Sequence, residues 1–288
     1  MSLPRLLPWA LRVAWAILPF AAGPSFAAAL DPRSRAVQLV ASVALWGAWG
    51  LVLIATLVPH PVGLTALRST TPGAVLAALA AAAGGHGTAL AVGTTTVVMA
   101  IAFAPETGAL FVNGPAYPNE RRFPLRAPIP LLLGVLAVVW ATASAPLVAG
   151  PLLLASRQWV AGAVVLVAGL PLSVVLFRAM HGLSRRWLVF VPAGVVLHDP
   201  IAIAEPVLFR RQLVAAIGPA DAATAALDLT QAAPGLALEL TLTEAVPMQR
   251  TRPGRRLGVT VSPSALLFTP TRPGAVLREA EERGLTVR

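Results

Sequence analysis

The polar residues that could carry chemistry within the apolar part of the sequence gather around one histidine. His86 stands in the glycine-rich run 84–87, and Thr94 and Thr95 follow about two helical turns later. An ionisable side chain at membrane depth is costly, which makes His86 a candidate to bind a proton or a substrate. The alternative is an interfacial break, in which the glycines permit close helix packing and the threonines bond to the preceding turn. Because no Asp or Glu lies near His86, the sequence favours this alternative.

Basic residues in the last third of the chain could bind a negatively charged surface. The candidates for lipid or partner contact are Arg210, Arg211, Arg250, Arg252, Arg255 and Arg256. Each arginine close to an anionic cytoplasmic leaflet contributes about 1 kcal/mol, so the set is a candidate for contact with lipid headgroups, although the sequence slightly favours an ordinary solvated loop. Nucleic acid is not expected as a partner, because Glu279, Glu281 and Glu282 offset the charge and no aromatic platform is interleaved with the arginines.

Motifs of enzymes and metal sites are missing from the sequence. It contains no His-Glu-x-x-His, no Gly-x-Ser-x-Gly and no phosphate-binding loop, the four histidines are scattered, and cysteine is absent. Asp199 precedes Pro200, a pairing that is typical of a turn. We therefore expect no enzymatic activity, no cofactor and no metal ion.

The composition indicates a membrane protein. Of 288 residues, 57% are apolar and 12% are charged, and the mean hydropathy is +0.76. An ordinary soluble domain has about a quarter charged residues, so that class is excluded. The first 180 residues hold 10 Arg and 3 acids, whereas the last 108 hold 12 Arg and 9 acids. This change predicts a transmembrane domain over 1–180 and a water-soluble domain over 181–288.

Five apolar stretches are long enough to cross a bilayer core of about 30 Å. They are residues 13–30, 37–58, about 85–104, 129–155 and 159–176. Thr71 and Pro72 predict the start of a short helix that leads into the third stretch. The first stretch is interpreted as a retained helix, and a secretory signal is the alternative.

Arginines in short loops predict the orientation, because basic residues near span ends stay in the cytoplasm. Eight arginines fall on one side of a five-span chain: Arg33, Arg35, Arg121, Arg122, Arg126, Arg178, Arg185 and Arg186. The other side receives four, namely Arg5, Arg12, Arg68 and Arg157. This distribution predicts an inner-membrane protein with its N-terminus outside and its C-terminal domain in the cytoplasm. A re-entrant first segment with four true spans is the alternative.

The C-terminal domain has the period-two pattern of short antiparallel strands. Strands are predicted at 187–191, 195–198, 206–210, 213–217, 236–242, 257–261 and 265–268, and a helix at 275–283 that Gly284 ends. The order of these elements, the pattern over 188–197 and the ending over 267–273 resemble the bacterial pleckstrin-homology-like (PH-like) domains. The resemblance covers about 100 residues and implies a small β-barrel or sandwich closed by a C-terminal helix.

The membrane half resembles multi-span membrane proteins of high-GC actinobacteria, in composition and in strings such as residues 57–62. That resemblance implies no activity. The headgroup binding known for PH-like domains has no residue-by-residue counterpart here, because the basic headgroup motif has no match.

Together these features predict a non-enzymatic scaffold or envelope-associated component in the cell membrane. Its PH-like domain would bind a protein partner or an anionic membrane surface, and small residues such as those at 47–50 permit a helix bundle or a homo-oligomer. The alternative is a transporter or permease-like component in which the His86 region forms a discontinuous helix.

Overall fold

The computed structural model describes residues 3–251 and 258–288. The chain divides into two compact units. The helical unit contains the residues up to Gly114 together with Ala137–His181, and the β unit contains Pro115–Leu136 together with Gly182–Arg288. The chain therefore passes from one unit to the other three times.

Seven helices begin in the N-terminal two thirds of the chain. They are α1 (Leu3–Leu30), α2 (Arg35–Leu57), α3 (Pro61–Ala83), α4 (Ala89–Phe103), α5 (Pro105–Asn113), α6 (Leu136–Ala155) and α7 (Trp159–Leu183). Within the described residues, four helical stretches are long and apolar enough to cross a membrane, and the pair α4–α5, bent by 59°, makes a fifth if it is counted as one span. The prediction of about five apolar helices is confirmed at this level.

Helix α3 differs from its predicted start. The sequence placed a first helical position at Pro72, but the helix begins at Pro61 and Pro72 lies within it. The ring nitrogen of His60 accepts a hydrogen bond from the Val62 amide at 3.3 Å, and Pro61 occupies the first position, where a missing N–H costs nothing. The N-terminal cap of α3 is therefore His60 and not Thr71, and Arg68 lies within the helix.

Indole groups satisfy carbonyls beside helix prolines. Pro19 has no N–H, so it leaves the carbonyl of Trp15 without its helical donor. The indole Nε1 of Trp49 donates to that carbonyl at 2.9 Å, and Nε1 of Trp15 donates to the carbonyl of Trp49 at the same distance. Nε1 of Trp140 donates at 2.7 Å to the carbonyl of Ser69, three residues before the interior proline of α3. These bonds join α1 to α2 and α6 to α3.

Contacts within the helical unit show which chain segments share an end of it. Pro59, between α2 and α3, lies directly against Gly114, which follows α5. At the other end, the hydroxyls of Ser25 and Thr88 are 3.3 Å apart. We call these the Gly114 end and the Thr88 end. Helix α3 runs from the first to the second, and α4–α5 returns.

Glycines allow α6 and α7 to pack closely as a hairpin. A Cβ atom on Gly150 would lie 2.5 Å from the Leu166 side chain, and one on Gly162 would lie 2.7 Å from Leu154. Gly169 contacts Pro146 even more closely. The hairpin predicted around residues 156–158 is thus present. The continuous helix α6 begins at Leu136, because the preceding turn is interrupted at Gly134, where φ is +100°.

The β unit contains two four-stranded sheets, a hairpin and a helix. The first sheet has the order β1-β2-β3-β4 and the second the order β5-β7-β10-β6. The strands are β1 (Arg121–Pro124), β2 (Trp187–Val191), β3 (Gly194–His198), β4 (Val207–Arg210), β5 (Val214–Pro219), β6 (Leu227–Asp228), β7 (Leu238–Leu242), β8 (Met248–Arg250), β9 (Val259–Val261) and β10 (Ala265–Phe268). Strands β8 and β9 form the hairpin, β6 pairs with β10 in parallel, and helix α8 covers Pro273–Glu282.

Strand β1 comes from the segment that the sequence assigned to the membrane domain. It pairs antiparallel with β2, with Phe123 opposite Leu188. The amide of Leu125 donates to the carbonyl of Arg186, and the amide of Arg126 donates to the carbonyl of Thr269. Residues 115–136 therefore belong to the β unit, and the boundary predicted at 180 describes only its second part.

The core of the β unit follows the predicted alternation in part. Leu238, Leu240 and Leu242 are buried as predicted, but Glu239 between them is buried as well, and Leu236 lies outside the strand and is exposed. Helix α8 buries Val276 and Ala280, and Gly284 follows it with φ of +67°, which confirms the predicted stop. Strands β1, β6 and β8 are additional to the prediction.

Phe123 should be the residue through which β1 stabilises the β unit. Its ring is buried and meets Phe190 edge to face at 5.6 Å. We expect Phe123→Ala to lower the free energy of unfolding by about 3–5 kcal/mol, as truncation of a buried aromatic does. Chemical unfolding of the purified chain, followed by tryptophan fluorescence, measures the change. The matched control is Tyr117→Ala, in the same segment but 78% exposed, and equal stability of the two variants would contradict the assignment of β1 to this core.

Candidate functional site

The predicted intramembrane candidates do not form one cluster. His86 is exposed in the turn between α3 and α4, where its amide donates to the carbonyl of Ala81. Thr94 and Thr95 lie further along α4, and their hydroxyls donate to the carbonyls of Leu90 and Ala91 at 2.7 and 2.8 Å. Threonines without water nearby commonly bond to the preceding turn in this way. Within the described part of the chain, no hydrogen bond joins His86 to either threonine.

The break in the helical unit lies at residues 104–105 instead. The carbonyl of Ile101 accepts from the amide of Ala104 at 3.2 Å, and the hydroxyl of Thr107 adds a second donor at 2.6 Å. The next carbonyl, that of Ala102, accepts from Nε of Arg68 at 3.2 Å. The sequence placed Arg68 in a loop because Pro72 was taken as a helix start, and so it missed the side chain that reaches this break.

A second arginine occupies a matching position. Nε of Arg12 donates at 3.1 Å to the carbonyl of Thr56, in the last turn of α2, as Arg68 does in the last turn of α4. The guanidinium of Arg12 lies 5.2 Å from the Trp9 ring centre, and that of Arg68 lies 5.6 Å from the Phe103 ring centre. A cation near a helix C-terminus complements the helix dipole and supplies a donor that the last carbonyls lack.

The predicted surface arginines lie on different elements of the β unit. Arg210 and Arg211 are exposed where β4 ends, and Arg211 donates to the carbonyl of Gly284 at 3.4 Å. Arg250 is exposed in β8 and donates to the carbonyl of Asp228 at 3.5 Å. The other three candidates, Arg252, Arg255 and Arg256, lie outside the described residues.

A buried ion pair stands at the base of the first sheet. Nε and Nη2 of Arg186 donate to the two carboxylate oxygens of Asp199 at 2.8 and 2.7 Å, and both side chains are 1% exposed. Nη1 of Arg186 donates to the carbonyl of Arg126 at 2.7 Å. Asp199 also accepts from the amide of Ile201, which confirms the predicted turn. The sequence identified the turn but not the arginine, which is 13 residues away.

The ion pair of Arg186 and Asp199 holds two separate segments of the β unit together. Through Arg126 it joins the segment that leaves β1 to the strand that follows α7. Two opposite charges in fork geometry satisfy most of each other's hydrogen bonds, which burial requires. The pair therefore fixes both chain connections to α6 and α7 at one point of the sheet.

A second carboxylate is held by donors from three segments. Glu239 is buried in β7 and accepts from the hydroxyls of Thr224 and Thr241 and from the guanidinium of Arg288. The hydrogen bond from Thr224 lowers the pKa of Glu239, and the bond and charge of Arg288 add to this effect against the opposing effect of burial. Arg122 likewise lowers the pKa of Glu120 by its hydrogen bond.

The described residues contain no group of three or more His, Asp or Glu side chains placed to hold a metal ion. Comparisons of the chain with models of known protein families, with curated proteins and with solved structures find no match.

Removing one partner of the buried ion pair should be strongly destabilising. We expect Asp199→Asn to lower the free energy of unfolding by about 3–5 kcal/mol, because it leaves the Arg186 charge buried without a counter-charge. Chemical denaturation of the purified chain measures the difference. The double variant Arg186→Met, Asp199→Leu removes both charges and should cost less than the single change. A single variant as stable as the unmodified chain would contradict the role of the pair in holding these segments together.

The β unit should lose stability in acid through Glu239. A carboxylate whose pKa is lowered by folding stabilises the fold above its unfolded pKa of about 4.3, and that stability is lost as the pH falls through the lower folded value. We expect the thermal midpoint to fall below about pH 4 less steeply in Glu239→Gln than in the unmodified chain. Glu244→Gln, at an exposed position of the same unit, is the matched control. Parallel pH profiles for Glu239→Gln and the unmodified chain would contradict this role.

Proposed function

We propose that this chain is a non-enzymatic scaffold of the cell membrane, or an envelope-associated component, whose β unit binds an anionic membrane surface or a protein partner. The observation that carries the proposal is the discontinuous β unit. Its first strand precedes α6, its remaining strands follow α7, and the Arg186–Asp199 pair joins the two connections. The β unit is thus joined to the helical unit through three chain connections.

A PH-like fold for the β unit is part of this proposal. Two mainly antiparallel four-stranded sheets and a helix that follows the last strand and enters the core support it. The upstream origin of β1 and the parallel pair β6–β10 are additions to that pattern. An actinobacterial origin is proposed on composition, since all 22 basic residues other than histidine are arginine.

The contact between Pro59 and Gly114 bears on the orientation. If α4–α5 crossed the membrane and α3 did not, these residues would lie on opposite sides, yet they touch. We therefore propose that α3 and α4–α5 cross together or not at all. The number of crossings is then even, and the N-terminus lies on the same side as the β unit, unlike in the five-span interpretation.

Two polar residues in α3 bond within the protein, which reduces the cost of a crossing, whereas the buried hydroxyl of Thr71 has no hydrogen-bond partner. Thr70 donates to the carbonyl of Ala66 at 2.8 Å, and Arg68 donates to Ala102. With six crossings, nine arginines face the side of the β unit: Arg5, Arg12, Arg68, Arg121, Arg122, Arg126, Arg178, Arg185 and Arg186. Three face the other side, Arg33, Arg35 and Arg157. This distribution supports a cytoplasmic β unit.

The alternative of a transporter receives less support. It was predicted from His86 as part of a discontinuous helix, and His86 lies in an exposed turn. The helix break at Pro105 has its carbonyls bonded by Thr107 and Arg68. The scaffold therefore remains the function that we propose.

The natural absence of cysteine allows the orientation to be tested directly. We expect single variants Ser34→Cys, His86→Cys and Ser156→Cys to react with a membrane-impermeant maleimide from outside intact cells stripped of their wall. We expect Val58→Cys and Gln212→Cys to react only after lysis, because they lie on the side of the β unit. All five positions are exposed in the structure. Gel mobility after labelling with a maleimide-linked polymer provides the measurement.

The outcomes separate the topologies. Labelling of Val58→Cys from outside, with Ser34→Cys and Gln212→Cys protected, would contradict the even number of crossings. Protection of His86→Cys, with the other positions as expected, would indicate four crossings and a re-entrant α3–α4–α5 segment. Labelling of Gln212→Cys from outside would contradict the cytoplasmic β unit.

Docking of the β unit on lipid is tested in the full chain. The purified Gln212→Cys variant is labelled with a fluorophore and placed in nanodiscs. A quencher located in the headgroup layer should reduce the fluorescence more in anionic nanodiscs than in neutral ones. High salt should abolish the difference, because the Debye length falls to about 3 Å at 1 M. Arg210→Glu with Arg211→Glu should also abolish it.

The matched control is Arg278→Glu, at an exposed position on α8. Equal quenching in anionic and neutral nanodiscs would contradict surface docking by these arginines. Crosslinking of the intact protein in cells would then be the next step in the search for a protein partner.

A further inference from the structure

Arg12 and Arg68 use only part of their hydrogen-bonding capacity within the protein. Each donates through Nε to a carbonyl in the last turn of a neighbouring helix. No carboxylate among the described residues forms an ion pair with either side chain, and no hydrogen bond from their Nη atoms is found there. Both residues are half-buried. Their Nη groups therefore remain to bind something other than the chain.

The two side chains lie towards the same end of the helical unit. Arg12 bonds to Thr56, which is three residues before Pro59, and Arg68 lies seven residues into α3, which begins at Pro61. At 1.5 Å per residue, Arg68 is about 10 Å along the helix from its start. An arginine side chain can reach from such a depth to the headgroup layer while its aliphatic part stays in the hydrocarbon.

The guanidinium of Arg68 packs against a glycine. A Cβ atom on Gly108 would lie 3.1 Å from Nη2 of Arg68, which is closer than ordinary van der Waals contact. Gly108 is itself buried in the first half of α5. The absence of a side chain there makes room for the guanidinium, whose Nη2 packs against this glycine. The rings of Trp9 and Phe103 support the faces of the two guanidinium groups.

We infer that Arg12 and Arg68 bind the phosphate groups of anionic lipids in the leaflet at the Gly114 end. The guanidinium edge matches two phosphate oxygens, and its planar fork is suited to such bidentate contact. Lipid phosphate is the anion that surrounds a helical unit with exposed apolar faces, so it is the source to which we assign the site. The inference rests on membrane insertion and is independent of what the β unit binds.

The experiment uses the full chain, purified in an uncharged detergent, with phosphatidylglycerol, phosphatidylcholine and inorganic phosphate as separate probes. Native mass spectrometry measures retained lipid, and the thermal midpoint measures stabilisation. We expect phosphatidylglycerol to bind and to raise the midpoint, and the other two probes to leave it unchanged. Arg68→Gln should weaken phosphatidylglycerol binding about fivefold, and Arg12→Gln should do the same.

Glutamine at residue 68 keeps one N–H for the carbonyl of Ala102, so the variant removes the charge but retains a donor for the helix end. Arg33→Gln, at an exposed position in the turn before α2, is the matched control and should bind lipid as the unmodified chain does. Arg68→Lys, which keeps the charge, should recover part of the binding.

Unchanged phosphatidylglycerol binding in the double variant Arg12→Gln, Arg68→Gln would overturn the inference. Stabilisation by inorganic phosphate that Arg68→Gln abolishes would also overturn it, in favour of a site for a soluble anion. If Arg68→Gln fails to assemble, phosphatidylglycerol binding is compared between the unmodified chain and the variants Arg12→Gln and Arg68→Lys, and unchanged binding in Arg12→Gln would overturn the inference. Failure here leaves the quenching experiment on Arg210 and Arg211 unaffected, so the two proposals fail separately.

Discussion

Backbone carbonyls without helical donors are the constraint on which the helical unit depends. Water cannot satisfy them in a hydrocarbon layer, so each needs a donor from the protein. Pro19 leaves such a carbonyl at Trp15, and the Trp49 indole donates to it. At the end of α4, the Thr107 hydroxyl donates to the carbonyl of Ile101 beside the amide of Ala104. The last turns of α2 and α4 have the same need, which Arg12 and Arg68 meet. Side chains with polar groups, which lower the mean hydropathy of these helices, therefore join the helices to one another.

The β unit depends on a different interaction, a charge pair that water does not reach. Arg186 and Asp199 connect β2 to the turn after β3, and Arg186 extends the connection to the segment after β1. Their attraction must offset the loss of hydration of both groups, and the pair gains specificity as well as energy from its fork geometry. The consequence is that segments on either side of the α6–α7 hairpin meet in one place.

The sequence predicted those parts of the fold that local patterns determine. The apolar run of α2, the turn between α6 and α7 and the alternation of Leu238, Leu240 and Leu242 are all local, and the structure contains each of them. Strand β1 was missed because it is four residues long and its partner lies 65 residues later, from Phe123 to Leu188. Arg68 was misplaced for a local reason, since a proline is compatible with the start of a helix and also with a bend inside one. Arg186 gave no signal, because a buried arginine and an exposed one look alike in a sequence.

The position of β1 in the chain imposes an order on biosynthesis. When Phe123 leaves the ribosome, its partner Leu188 has not been made, and at about 5–20 residues per second the delay is roughly 3–13 s. During that interval α6 and α7 are synthesised while the edge of β1 remains unpaired. The four-residue length of β1, its terminal Pro124 and the charges of Arg121 and Arg122 make it a poor template for pairing with another nascent chain. Strand β1 can therefore remain unpaired during synthesis with little tendency to aggregate.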